Sequence, residues 1–315
     1  MIGRKLVSIL RELSLEEGLE YQVFSEGWII RLGQPETGKY RYVYGHTFDL
    51  DSAASQLVVS DKVATAILLT MAAIPCVEHK LFLHPQVYEQ VAAEGSYKAL
   101  YDYAVQYDFK VVLKSLRGSS GNDIFRCNNA REIEQAMLKL FQRHDDLAVS
   151  PFVEILGEYR LIMLDGQCLL TYLKERPYVI GNGQSPLHQL IKDKFQHQSL
   201  KIRQSLIEQN HQQLTTVLPQ GQHHLLSWQH NLSKGAEPRA VQNAALADEL
   251  LKLAQKATQA LNIRFASVDV IATREGLKIL EINAGMMMEH YIRLVPQGYE
   301  QAKQIYKAVL QKLFA

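Results

Sequence analysis

Two apolar runs near the C-terminus constrain this chain more than any other feature. Ser267-Val268-Asp269-Val270-Ile271 and Ile279-Leu280-Glu281-Ile282-Asn283 each carry acidic or amide side chains inside a β-branched segment. Such runs read as strands covered on both faces. The intervening Glu275-Gly276 signals a turn, so strands Phe265 to Ala272 and Leu277 to Asn283 form an antiparallel hairpin. Positions 281 and 283 share one strand face, and Asp269 can join them there. Three oxygen-bearing side chains then converge among apolar neighbours. Burying carboxylates together is costly unless a cation or proton compensates, and hard oxygen ligands suit Mg²⁺. The alternative is an exposed strand face with a solvated Asp and Glu.

Composition narrows the class. The chain has 315 residues, roughly two domains' worth of material at ~150 residues each. Lys plus Arg total 34 against 33 for Asp plus Glu, a formal charge of +1 with no like-charged block. That argues against a nucleic-acid groove or a polybasic membrane patch. Cys76, Cys127 and Cys168 form no CxxC pair, which fits a reducing, cytoplasmic setting. The N-terminal residues lack a signal peptide's apolar core. The longest apolar run, Val63 to Ile74, is interrupted by Thr65 and Thr70, stopped by Pro75, and falls short of the ~18 residues of a span. His223-His224 has no partner at a zinc-ligand spacing.

Periodicity gives an α+β order. A helix over Leu6 to Leu13 precedes strands Glu20 to Phe24, Trp28 to Leu32 and Tyr40 to Tyr44, and a polar stretch from Gly45 to Ser60 leads to helix Lys62 to Ala73, capped by Ser60 or Asp61. Helices are expected over Gln86 to Ala93, Tyr97 to Gln106 and Arg131 to Arg143, with strands at Phe109 to Lys114, Asp123 to Arg126 and Leu147 to Ser150. Asp165-Gly166 joins strands Tyr159 to Leu164 and Cys168 to Leu173 as a tight hairpin. A helix begins at Pro186, Gln196 to Gln213 reads as a polar region, and helices Asn243 to Leu261 and Gln297 to Leu313 flank the last hairpin. The expected domains are 1–55, a short N-terminal α/β piece; 56–149, a lobe carrying a glycine-rich loop; and 150–315, a lobe carrying the acidic hairpin.

That loop, Lys114-Ser115-Leu116-Arg117-Gly118-Ser119-Ser120-Gly121, follows a strand. Its small residues let backbone N–H groups approach phosphate oxygens while the lysine neutralises charge. In the Walker pattern the lysine instead follows the glycines. A plain flexible hairpin is the alternative.

The motif order resembles the ATP-grasp superfamily of ATP-dependent carboxylate–amine ligases: Ser60-Asp61-Lys62, Val112-Leu113-Lys114 with Gly118 to Gly121, Gly157-Glu158-Tyr159-Arg160, Val268-Asp269-Val270, and Glu281-Ile282-Asn283. Glu175-Arg176-Pro177, Gly181-Asn182-Gly183 and Asn231-Leu232-Ser233-Lys234-Gly235 are similar to cyanophycin synthetases, bifunctional glutathione synthetases and the glutamate ligases that modify ribosomal protein. The resemblance implies two lobes sandwiching ATP. Lys62 and Lys114 match phosphate-holding lysines, and Gly118, Ser119, Ser120 and Gly121 match the flap above them. Ser150 to Val153, including Phe152 and Val153, match the adenine hinge, and Glu158 matches the ribose acid. Arg160 and Arg176 match catalytic basic groups near phosphate or the acyl substrate. Asp269, Glu281 and Asn283 match ligands for Mg²⁺ or Mn²⁺.

Departures accompany the match. Ala284-Gly285-Met286 replaces the usual small residue and Pro-Gly after the Asn. Ser267 stands where D-alanine–D-alanine ligases carry Arg, which leaves Arg176 to neutralise the γ-phosphate, and the region before Asp61 is short for the family. The implied activity is amide or peptide bond formation through an acyl-phosphate, with small-molecule or peptide carboxylates and amines as partners and a homodimer allowed. The alternatives are an ATP-binding sensor or scaffold without turnover, and a small-molecule kinase.

Overall fold

A computed structural model describes residues 4–84, 86–87, 97–118 and 123–315. Helix α1 (Lys5–Glu16) buries Leu6, Ile9, Leu10 and Leu13, the i, i+3, i+4, i+7 stripe of an amphipathic helix. That stripe shares a core with Ile30, Leu32 and Val43 of an antiparallel sheet made from β1 (Glu20–Phe24), β2 (Ile29–Gln34), β3 (Lys39–Tyr44) and β4 (Thr47–Phe48). Helices α2 (Ala53–Ser60) and α3 (Lys62–Met71) meet at Asp61 with a bend of 101°. The Asp61 carboxylate accepts from the N–H groups of Val63 and Ala64, so one residue ends α2 and caps α3. Helix α2 lies in the stretch expected to be an irregular polar leader. Its cap, Ser52 accepting from Ser55 N–H, is the local signal that the polar composition hid.

A second antiparallel sheet, ordered β5-β8-β6-β7, comprises β5 (Lys80–Leu83), β6 (Val111–Ser115), β7 (Ile124–Cys127) and β8 (Asp146–Pro151). Helices α4 (Tyr97–Val105) and α5 (Ala130–Phe141) cover one of its faces through Leu100, Ala104, Ile133 and Leu140. The helix expected over Gln86 to Ala93 lies mostly outside the described residues.

The third sheet runs β13-β10-β9-β14-β15, from β9 (Gly157–Leu164), β10 (Gln167–Glu175), β13 (Glu237–Arg239), β14 (Phe265–Thr273) and β15 (Gly276–Asn283). Asp165 and Gly166 both take positive φ, +48° and +76°, as the tight β9–β10 turn requires. Between β10 and β13 stand a ribbon of β11 (Tyr178–Ile180) and β12 (His223–Leu225) and the helices α6 (Leu187–Lys194) and α7 (Leu200–Gln209). Helix α7 corrects the reading of Gln196 to Gln213 as a polar region. Only Ile202 and Leu206 of it are buried, a stripe too thin for periodicity to reveal.

Helix α8 (Ala244–Ala260) covers one face of the third sheet. There Leu250, Ala254 and Ala257 meet Leu161, Val268, Val270, Ile279 and Ile282, joined by Val59 and Leu69 from α2 and α3. Helix α9 (Glu289–Leu294) follows β15, and α10 (Gly298–Leu313) returns to the N-terminus, where Tyr306 stacks on Phe48 at 5.7 Å. Position 55 lies inside α2 and position 149 inside β8, and the hydrophobic core that joins α1, β2 and β3 to α10 crosses the first of these positions. Among the described residues no single helix is long and apolar enough to cross a membrane.

Candidate functional site

The face of the third sheet away from α8 forms one wall of a cleft of about 530 Å³, within the range of small-molecule sites. Strand register explains which side chains reach it. Arg160 on β9 pairs with Tyr172 on β10 and with Asp269 on β14, which in turn pairs with Glu281 on β15. Four strands therefore present Tyr172, Arg160, Asp269 and Glu281 in one row. Beside it lie Ser267 opposite Asn283 and, on the other side, Glu158 opposite Ile271. A bulge at Leu280 inserts one residue into β15 between the pairs Val270–Ile279 and Asp269–Glu281. Ile279 can therefore join the α8 core while Glu281 faces the cleft, and Leu280 also lines the cleft.

The centre of this wall is an ion network. The Arg160 guanidinium donates to both Asp269 oxygens, from Nε at 2.8 Å and Nη2 at 2.6 Å, and Lys174 Nζ donates to Asp269 Oδ2 at 2.9 Å. Lys174 also pairs closely with Glu158. Asp269 has 0% side-chain exposure. Burial opposes its ionisation, but Arg160 and Lys174 override that and hold the carboxyl well below its usual range. Glu158 responds the other way, raised chiefly by burial and also by Asp269 despite Lys174.

Lysines from the second half of the cleft face this network. Lys114 stands on β6 and Lys62 starts α3, and both are buried. Lys62 Nζ donates to the carbonyls of Leu116 and Gly118, each at 3.1 Å. Burial pushes the Lys114 ammonium down to about 8, offset in part by Glu281 and reinforced by Lys62. Lys62 is lowered by the same cause. A Cβ at Gly118 would meet Ser115 Oγ at 2.0 Å, so that hydroxyl would have to turn aside. Ser119, Ser120 and Gly121 lie outside the described residues.

One end of the cleft is apolar, with Val112, Ile124, Phe152, Val153 and Trp228 among its lining. Phe152 meets Trp228 edge-on at 6.3 Å and lies under the Arg126 guanidinium at 3.9 Å. The other end reaches Trp28 and His46 of the N-terminal segment and His290 of α9.

The expected residues Lys62, Lys114, Gly118, Phe152, Val153, Glu158, Arg160, Glu281 and Asn283 thus line one space, with Asp269 buried beneath it. Arg176 stands one residue past the end of β10, and its charge reaches His230, which lines the cleft, while Lys174, two residues earlier and on the cleft face with Tyr172, is the second cation on Asp269. Strand alternation from Tyr172 points to Lys174 as well as to Arg176. A further buried group is His230, whose Nδ1 donates to the Lys174 carbonyl at 2.7 Å and whose ring burial pushes down to about 4, so it is neutral at pH 7.

For a divalent cation, Glu281 and Asn283 fit: neighbours on one strand face, they lie 3.3 Å apart, Nδ2 to Oε1, and both line the cleft. Asp269 fits less simply, since both its oxygens already accept from Arg160 or Lys174.

Residues 196–309 match the model of the RimK-like ATP-grasp domain. A 58-residue stretch, 18% of this chain, is 40% identical to the tetrahydromethanopterin:alpha-L-glutamate ligase of Methanocaldococcus jannaschii and covers 19% of that protein. The fold is similar to a bifunctional glutathione synthetase from Pasteurella multocida, with a TM-score of 0.55 at 18% identity over 96% of this chain and 44% of that one. It is also similar to a D-alanine–D-alanine ligase from Bacillus anthracis, with a TM-score of 0.53 at 13% identity over 84% of this chain and 69% of that one. The chain thus spans less than half the length of the glutathione synthetase.

Proposed function

We propose that this chain, an ATP-grasp protein whose residues 196–309 are RimK-like, is an ATP-dependent carboxylate–amine ligase. The observation that carries the reading is the cleft itself: two buried lysines on one side face a carboxylate-rich sheet row on the other, with an apolar slot at one end. Cationic groups without enough fixed counter-charge suit polyphosphate, and an aromatic slot suits a base. In this reading Lys62 and Lys114 hold phosphate oxygens, Phe152 and Val153 flank adenine, and Glu158 takes ribose hydroxyls. Glu281 and Asn283 hold Mg²⁺, with Asp269 as the third candidate ligand. The bound cation supplies charge neutralisation on the phosphates.

The substrate carboxylate attacks the γ-phosphorus and ADP departs, leaving an acyl-phosphate. An amine then adds to the acyl carbon, phosphate leaves with the bonding pair, and the amine proton passes to solvent or phosphate. Such chemistry needs positioning and charge neutralisation rather than an activated nucleophile. Arg160 contributes as a fixed positive charge on the wall.

The test is ADP release from MgATP in the presence of pooled amino acids and short peptides, followed by product mass. Amide formation supports the ligase. A phosphate ester would mark a kinase. The occupation of Asp269 by two internal cations favours a second reading, a nucleotide binder without turnover. Tight MgATP binding with no acid- or amine-dependent ADP release would establish it instead.

A further inference from the structure

The N-terminal sheet carries an unusual outer face. Its inner face is core, through Ile30, Leu32 and Val43. On the outer face, where an antiparallel sheet commonly turns polar residues to water, β3 presents Tyr40, Tyr42 and Tyr44 at alternate positions. Tyr42 and Tyr44 are 49% and 63% exposed. Phe24 of β1, in the same cross-strand row as Tyr44 and Ile29, extends the patch. Tyr40 lies flat across Gly33, whose added Cβ would meet its ring at 2.8 Å, with Arg31 stacked on the same ring at 4.3 Å.

This face runs into the cleft through Trp28. Its indole is 47% exposed, meets Tyr44 edge-on at 6.1 Å, and lies under the Arg4 guanidinium at 5.0 Å. Arg4 is itself anchored on the carbonyls of Gly27 and Gly45. Gly45 passes so close that a Cβ would stand 3.2 Å from the ring. A large apolar ring held in place from three sides and left half-exposed at a cleft mouth is placed for recognition, since the core has no use for it there.

We propose that the outer face of β1 to β3 is a docking platform for an extended polypeptide substrate, which passes Trp28 to deliver its reacting group into the cleft. Three observations favour a polypeptide. The tyrosines repeat every second residue, about 7 Å apart, which is the side-chain repeat of an extended chain. The platform is continuous with the cleft, so its occupant must be elongated. Strand β1 is an edge of its sheet, and the spacing of its outward main-chain groups matches that of an added strand. Tyrosine and tryptophan also provide large contact area at low conformational cost. The proposal rests on the ligase reading for what happens in the cleft, but docking itself is independent of it.

The experiment uses the whole chain and an immobilised array of decapeptides of randomised sequence, with free amino acids as competitors. The wild type should capture a subset of peptides that amino acids do not displace. The double variant Tyr42→Ser/Tyr44→Ser, altered only at exposed rings, should lose that capture by roughly tenfold or more with ATP affinity unchanged. Equal capture by both proteins, or none by the wild type, overturns the platform. So does a wild-type dimer that the double variant converts to monomer, which would make a second copy the occupant. ADP release is scored in parallel: peptide capture without any substrate-dependent ADP release rejects the ligase reading and leaves the platform standing.

Discussion

On the wall formed by β9, β10 and β14, each buried charge has an opposite partner: Asp269 has Arg160 and Lys174, and Lys174 also has Glu158. On the facing side, Lys114 makes no hydrogen bond or ion pair among the described residues, and Lys62 donates only to main-chain carbonyls. The contrast shows in the titration of the two lysines of β6 and β10. Both are buried, yet Lys174 is raised because Asp269 and Glu158 outweigh its burial, whereas Lys114 is lowered because burial outweighs Glu281. The first wall is neutralised from within. The second carries a cost that an anion from outside would relieve while the ammonium stays charged.

The largest expected effect breaks the neutralised wall. Asp269→Ala strands Arg160 and Lys174 without their shared carboxylate and should cost about 3–5 kcal/mol of folding stability, measured by urea denaturation. A loss below about 1 kcal/mol would mean that the network contributes little and that the two walls do not differ.

Lys114→Met sharpens the comparison from the other side. ATP affinity should drop roughly ten- to hundred-fold by calorimetry, the size of a charge-assisted contact. The melting temperature of the ligand-free protein should hold or rise, because a strained charge has been removed. The same lysine sets a pH dependence. Its folded-state pKa of about 8 lies below the usual 10.5, so the unfolded chain binds more protons between those values. Stability from this group therefore increases as pH rises through that window. ATP affinity should fall over the same range as the ammonium deprotonates. Lys114→Arg, which stays charged, should flatten that fall, and a persisting slope would assign it elsewhere.

Glu281→Gln removes charge from a partly exposed carboxylate on the same strand geometry. Turnover should fall by roughly tenfold or more while ligand-free stability moves by less than about 1 kcal/mol. Thermal melts with and without MgATP provide the check: an equal ligand-induced shift in wild type and variant would remove Glu281 from the cation site. The smallest effect is expected at Arg176, which lies past the end of β10 and makes no ion pair among the described residues. Arg176→Ala should change stability by about 0.5 kcal/mol or less and leave ATP affinity as it was.

Much of the acidic wall was legible because its logic is strand parity. Glu281 and Asn283 lie beyond the bulge at Leu280, so their shared face could be read by counting two residues. A count begun at Ile279 would have failed, since the extra residue puts Ile279 and Glu281 on opposite faces. Lys174 was overlooked in favour of Arg176 because motif likeness drew attention to the latter, although only the former lies within β10. Helices α2 and α7 escaped because each buries only two residues, and the sequence pattern of a helix is only as strong as its buried stripe. Trp28 and His46 reach the cleft through the packing of α1, β1 to β4 and α10, a tertiary fact with no local signature.

The bend at Asp61 places Lys62 in an unusual mechanical position. Val59 and Leu69 anchor the two helices to the third sheet, while the Lys62 ammonium reaches the main chain that follows β6 in the second. An ammonium has three donors, and two are already given to Leu116 and Gly118. If Lys62 holds phosphate as proposed, the third donor would serve it without untying the first two, and a single nitrogen would then be a strut joining two sheets and a ligand. The kinetic signature of such a strut is residence time. Loss of Lys62 should speed the departure of nucleotide far more than it slows its arrival.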